Sequence, residues 1–220
     1  MNRTLVIGNR NYSSWSLRPW LVLAVGNVPF DEERITLNRP HTKAYILRHS
    51  PSGKVPCLIE RDGDAVETIW YSLAIAETVN ERHLGGRLWP SDARRRAHAR
   101  AVAAEMHSGF AALRTHLPMD IRGRYQAAGA VAQQRADVAA DIARVHALWT
   151  DCLQRSGGPF LLGDFSIDDA FYAPVVTRFR TWGVALTPPL AAYSAALFAL
   201  PAMQRWVAAA EAETETLNDG

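Results

Sequence analysis

The rhythm of apolar and polar positions changes once along this chain, near residue 85. Before that point short strand-like and helix-like stretches alternate. Thr4 to Ile7 reads as a strand, Ser14 to Val25 as a helix, and Phe30 to Leu37 as a second strand after a turn around Gly26 to Pro29. A helix over Lys43 to His49 follows, then the break Ser50-Pro51-Ser52-Gly53 and a strand from Val55 to Glu60. Arg61-Asp62-Gly63-Asp64 predicts a hairpin turn, because Asp-Gly tolerates the positive φ such turns need, with Ala65 to Thr68 as the returning strand. Ser72 to Arg82 closes this region as a helix.

Beyond Gly85-Gly86-Arg87-Leu88-Trp89-Pro90 the pattern becomes helical throughout. Ser91 is the expected cap of a helix that runs to about His116 and stops before Pro118. Val131, Val138, Ile142, Val145, Leu148 and Cys152 mark one apolar face of another helix. In Ser166-Ile167-Asp168-Asp169, Ser166 is the expected N-cap, with Asp169 three residues on able to reach back to its N–H in the manner of a capping box. The expected division is therefore an α/β domain over 1–83, a linker over 84–90 and an all-α helical-bundle domain over 91–220. The order β-α-β-α-β-β-α, with Pro56 opening the third strand, is that of a thioredoxin-like domain.

Composition removes several classes of function. With 220 residues, 48% hydrophobic content and a net charge of +2, neither disorder nor a polyanion-binding surface is implied. Arg94-Arg95-Arg96 with His98 and Arg100 lacks interleaved aromatics and reads as a solvated helix face, so no nucleic-acid partner is expected. The run Leu5 to Ile7 is too short for a signal peptide, and no stretch reaches the roughly 20 apolar residues of a membrane span. A cytoplasmic protein with no membrane partner is the expectation. Cys57 and Cys152 form no CxxC and read as buried thiols. There is no GxGxxG, Walker A, GxSxG or HExxH, and the seven histidines show no zinc spacing.

The chemistry concentrates where the first strand pattern meets the first helix, in Asn9-Arg10-Asn11-Tyr12-Ser13-Ser14-Trp15-Ser16-Leu17-Arg18-Pro19-Trp20. A helix start offers unpaired backbone N–H groups and the positive end of a dipole, so serines there suit a thiolate, phosphate or carboxylate. Without a cysteine in this segment, dithiol-disulfide exchange is excluded.

With Lys54-Val55-Pro56-Cys57-Leu58, the helix start at Ser72-Leu73-Ala74-Ile75 and Ser166 to Asp169 in the same order, nearly the whole chain resembles a cytosolic glutathione transferase. Ser13-Ser14-Trp15-Ser16-Leu17-Arg18 is most similar to the zeta class, which includes the maleylacetoacetate isomerases, although Trp15 stands where that class has a cysteine. The resemblance implies glutathione as cosubstrate, a small electrophile as second substrate, and a homodimer. It implies a cis peptide before Pro56, so that the Val55 backbone pairs with the cysteinyl unit, and Ser72 holding the γ-glutamyl carboxylate, with Lys54 and Tyr71 beside them. Tyr71 departs from the Glu, Asp or Gln usual at that position, and weakened glutathione binding is an open alternative.

By the same resemblance Ser13 is the hydroxyl that meets the thiol, and Ser14 is the substitute if the register differs by one. Lowering a thiol pKa by about two units takes roughly 2.7 kcal/mol. A helix terminus supplies about 0.3 to 1 kcal/mol and a hydrogen bond to a charge about 1.5 to 3 kcal/mol, so a hydroxyl is required as well as the dipole. Capping of the helix alone is the competing role for both serines. For the electrophile, Val102, Met106, Phe110, Leu113 and Leu117 form a core stripe, with Arg100, His107 and Arg114 on a neighbouring face. His107, Phe110 and Arg114 are the expected substrate contacts, suited to an acidic substrate, and a solvated or dimer-facing stripe is the alternative. The function expected is a glutathione transferase. The alternatives are a zeta-type cis-trans isomerase and a non-catalytic ligand-binding or interaction module.

Overall fold

The computed structural model describes residues 2–217. Its elements run β1 (Asn2–Ile7), α1 (Ser14–Val25), β2 (Asp31–Arg34), α2 (Thr42–Leu47), β3 (Cys57–Asp62), β4 (Ala65–Trp70), α3 (Ser72–Leu84), α4 (Ala93–Ser108), α5 (Ala111–His116), α6 (Gln126–Ala132), α7 (Ala136–Ser156), α8 (Ile167–Trp182), α9 (Pro188–Ala199) and α10 (Pro201–Ala212). Two compact units result. The first holds the residues up to Gly86 together with those from Arg205 onward, and the second spans Arg87–Gln204.

In the first unit the strands lie in the order β2-β1-β3-β4. β1 and β2 are parallel, which the intervening α1 crossover permits, while β3 runs antiparallel to β1 and to β4. Asp62 pairs with Ala65, so Gly63 and Asp64 form a two-residue hairpin loop, and Gly63 takes the positive φ of 58° expected of it. One face of the sheet carries Val6, Cys57 and Ile59, packed with Ile35 and with Ile46 of α2. Leu5 and Ile7 alternate to the other face and are fully buried, and α1 packs against α3. This is the thioredoxin-like arrangement.

The C-terminal residues differ from the sequence expectation, which gave everything beyond 91 to the helical domain. From Arg205 on they join the first unit, anchored by a fully buried Trp206. Its indole lies 5.2 Å from that of Trp20 and donates from Nε1 to the Arg10 carbonyl at 3.1 Å. Local amphipathic pattern shows that a helix has a buried face, not which unit buries it.

The second unit is helical, with two further corrections. The helix expected from Ser91 to His116 is capped by Asp92, whose carboxylate accepts the Arg95 N–H at 2.8 Å, and it breaks after Ser108. Phe110 adopts φ 59° there, and α5 starts anew. Val131 lies in the separate helix α6, two-thirds exposed, whereas Val138, Ile142, Val145, Leu148 and Cys152 are the buried stripe of α7 as expected. α6 packs on α8 closely enough that a Cβ at Gly129 would sit 1.9 Å from the Trp182 carbonyl oxygen. The capping box opening α8 forms as read. Asp169 Oδ2 accepts from the Ser166 N–H at 2.8 Å and from its hydroxyl at 2.7 Å, and Oδ1 accepts from the Leu161 N–H at 3.0 Å.

Among the described residues no helix is long and apolar enough to cross a membrane, and no group of three or more His, Cys, Asp or Glu could hold a metal ion.

Candidate functional site

Strand register brings the predicted residues of the first unit to one end of the sheet. Val6, near the C-terminal end of β1, pairs with Cys57, the first residue of β3, and Cys57 pairs with Trp70, the last of β4. The segments leaving that end are the loop to Ser13, Val55-Pro56, and Tyr71-Ser72. The Val55–Pro56 peptide is cis. Lys54 is exposed, and its backbone N–H donates to Ser52 Oγ at 3.3 Å.

Ser13 is the N-cap of α1 and is 6% exposed. Its own N–H donates to the Asn9 carbonyl at 2.8 Å, and its Oγ accepts from the Ser16 N–H at 3.4 Å. Ser14 opens the helix, also buried, with its N–H on the Tyr12 carbonyl at 3.0 Å. The loop before Ser13 is held from two sides. The Asn9 side chain accepts the Leu37 N–H at 2.8 Å, and the carboxylate of Glu213 accepts the consecutive N–H groups of Arg10 and Asn11 at 2.8 and 3.1 Å. Arg18, fully buried, stacks its guanidinium 4.3 Å from the Trp15 ring centroid.

The start of α3 has a different construction. Tyr71 precedes it with φ 67°, half-exposed, and its side chain makes no capping bond. Ser72 is fully buried and its hydroxyl has no hydrogen-bond partner among the described residues. A helix start with no side-chain cap and an unsatisfied buried hydroxyl is a place where a carboxylate lowers the free energy.

The three residues read as substrate contacts lie together in the second unit, at the corner between α4 and α5. Phe110 is buried, and His107 stands 6.3 Å from the Phe171 ring. The Arg114 guanidinium donates to the carbonyls of Met106 and His107, the latter at 3.1 Å, so it holds the last turn of α4. Burial lowers its pKa, partly offset by Asp141.

Both thiols are inert by environment. Burial pushes Cys57 up to about 11 and Cys152 up to about 12. Sequence reasoning placed Ser16 merely within the helix and passed over Glu213. The Ser13/Ser16 spacing of three is an N-cap to N3 spacing and could have drawn attention to Ser16. Glu213, some 200 positions from the loop it holds, left no local signal.

Residues 12–82 match the family model described as glutathione S-transferase, N-terminal domain. A probable maleylacetoacetate isomerase of Caenorhabditis elegans is 27% identical over 180 residues, covering 81% of this chain and 79% of that protein. Among solved structures, a maleylacetoacetate isomerase from Anaeromyxobacter dehalogenans with glutathione bound in its active site superposes with a TM-score of 0.68 at 24% identity, over 93% of this chain and 94% of that one. A maleyl pyruvate isomerase, a bacterial zeta-class glutathione S-transferase, gives 0.71 at 25% identity over 96% and 100%. With the thioredoxin-like sheet, the serine-capped first helix and the cis peptide at Pro56 in the same unit, residues 12–82 match a glutathione S-transferase N-terminal domain, and the chain as a whole is similar to zeta-class glutathione transferases.

Proposed function

We propose that this protein is a glutathione transferase in which Ser13 donates a hydrogen bond to the sulfur of bound glutathione and holds it as the thiolate, with Ser14 as neighbour. The observation that carries the reading is the start of α3. A fully buried Ser72 hydroxyl without a partner among the described residues, at a helix end with no side-chain cap, suits an acidic ligand group, and it issues from the same end of the sheet as Ser13. In this reading the γ-glutamyl carboxylate fills that position, the Val55 backbone pairs with the cysteinyl unit like an added strand, and Lys54 and Tyr71 flank the peptide. The thiolate adds to a small electrophile, for which His107, Phe110 and Arg114 are the proposed contacts. A homodimer in the cytoplasm completes the proposal, and two buried, unpaired thiols suit a reducing compartment.

Zeta-type isomerisation is the second reading, favoured by the names of the relatives and by the Ser13-Ser14 pair. There the thiolate would add to an activated double bond, permit rotation, and leave. Calorimetry with glutathione on the wild type, Ser13→Ala and Ser72→Ala tests the shared step. Binding that is weakened in Ser72→Ala supports it; no binding to the wild type at millimolar ligand removes both readings. A panel containing a maleyl compound, a chloronitroarene and a peroxide then separates transfer from isomerisation.

A further inference from the structure

We propose that Ser16 is a positioning residue whose buried hydroxyl fixes the direction of the Ser13 proton. The inference rests on the reading of Ser13 as the thiolate-binding group.

Ser16 is fully buried in the first turn of α1, with two partners for its Oγ: the Gly8 N–H, which donates to it at 3.1 Å, and Ser13 Oγ at 2.7 Å. A backbone N–H can only donate, so one lone pair of Ser16 Oγ is taken. If Ser13 donated to Ser16, the Ser16 proton would be sealed in the interior with no acceptor, at a cost comparable to that of any buried unsatisfied donor. If Ser16 donates to Ser13, every group is satisfied. Ser13 Oγ then accepts twice, from the Ser16 hydroxyl and from the Ser16 N–H at 3.4 Å, and its own proton must point away from the helix.

The resulting order is Gly8 N–H to Ser16 Oγ–H to Ser13 Oγ–H to the guest. Its end is a donor and nothing else. A hydroxyl that has filled both lone pairs and offers only a proton favours an anion over a neutral thiol, and hydrogen bonds in series strengthen one another. The relay thus supports Ser13 as the thiolate donor.

Titration of the ultraviolet thiolate band of bound glutathione, taken as complex minus free protein, tests this. A Ser13 hydroxyl released to rotate among three staggered positions loses up to a factor of about three in its aimed population. Ser16→Ala is expected to raise the bound thiol pKa by about half a unit, with glutathione affinity at low pH unchanged. Ser16→Cys, which keeps an acceptor for Gly8 but donates poorly, is expected to raise it too, and it serves if the alanine variant does not fold. Ser16→Thr should restore the wild-type value, and Ser13→Ala/Ser16→Ala should match Ser13→Ala alone. A wild-type pKa in Ser16→Ala or Ser16→Cys, alongside a raised pKa in Ser13→Ala, would overturn the relay while leaving Ser13 in its role. An unchanged pKa in Ser13→Ala would remove both.

Discussion

Two neighbouring aspartates at the start of α8 are both fully buried yet are predicted to act oppositely on stability. Asp169 accepts three hydrogen bonds. Neither oxygen of Asp168 meets a hydrogen-bond donor among the described residues. Burial, and then the neighbouring Asp169, push the Asp168 carboxyl well above its ordinary range. Burial likewise raises Asp169 to about 6 against the pull of its hydrogen bonds. A raised folded-state pKa means that the native protein keeps a proton which the unfolded chain has released, so stability is full below about pH 4 and falls as pH rises towards the folded value. Each such proton costs about 1.4 kcal/mol per pH unit.

Asp168→Asn removes one of those protons from the balance without changing the shape of the side chain. Its stability relative to wild type should therefore improve by about 1.4 kcal/mol between pH 5 and pH 6. For a chain of this size that corresponds to a relative gain in Tm of about 3 to 5 °C. Urea unfolding of both proteins at pH 5.0, 5.5 and 6.0 measures the slope, and groups common to both cancel in the difference. A stability difference that stays flat over this range would show that Asp168 ionises in the folded protein as it does in the unfolded one, and the argument from burial would be wrong.

The other carboxylate gives the opposite sign: Asp169→Ala leaves the Leu161 and Ser166 N–H groups buried without acceptors and should cost at least about 2 kcal/mol, read in the same urea experiment at pH 7. Trp206→Ala removes a fully buried indole that packs on Trp20 and should cost about 3 to 5 kcal/mol, seen as a lower Tm. Cys57 and Cys152, raised to about 11 and about 12 by burial, should resist iodoacetamide at pH 7.5 in the native protein and both react in urea; rapid native alkylation, followed by mass, would contradict the burial of either thiol.

How much of this was legible in the sequence depended on whether the signal was local. α1 over Ser14–Val25, the hairpin around Gly63-Asp64 and the Ser166 box each rest on neighbours within a few residues, and each formed. The break between α4 and α5 was hidden because Val102, Met106, Phe110, Leu113 and Leu117 keep a helical spacing across it and are all buried. Only the Ser108-Gly109 pair hinted at a stop, and the non-glycine φ of 59° at Phe110 had no sequence signature. Val131 stands in heptad phase with Val138, yet Gln133-Gln134-Arg135 interrupts the helix between them. The hold of Glu213 and Trp206 on the serine loop links positions about 200 residues apart, and no pattern along the chain encodes such a pairing. At the site itself the residue types were readable, whereas the direction of a proton between Ser16 and Ser13 depends on the Gly8 N–H, which only the fold brings there.

The central claim is that this helix start holds glutathione as a thiolate through Ser13, and the most direct measurement is the pH titration of the thiolate band of the glutathione complex, in the wild type and in Ser13→Ala. The wild-type complex should titrate well below free glutathione, and Ser13→Ala should move it up by about one to two units, the worth of one hydrogen bond to a charged group. A bound thiol that titrates like the free one in the wild type, or identically in the two proteins, would contradict the account.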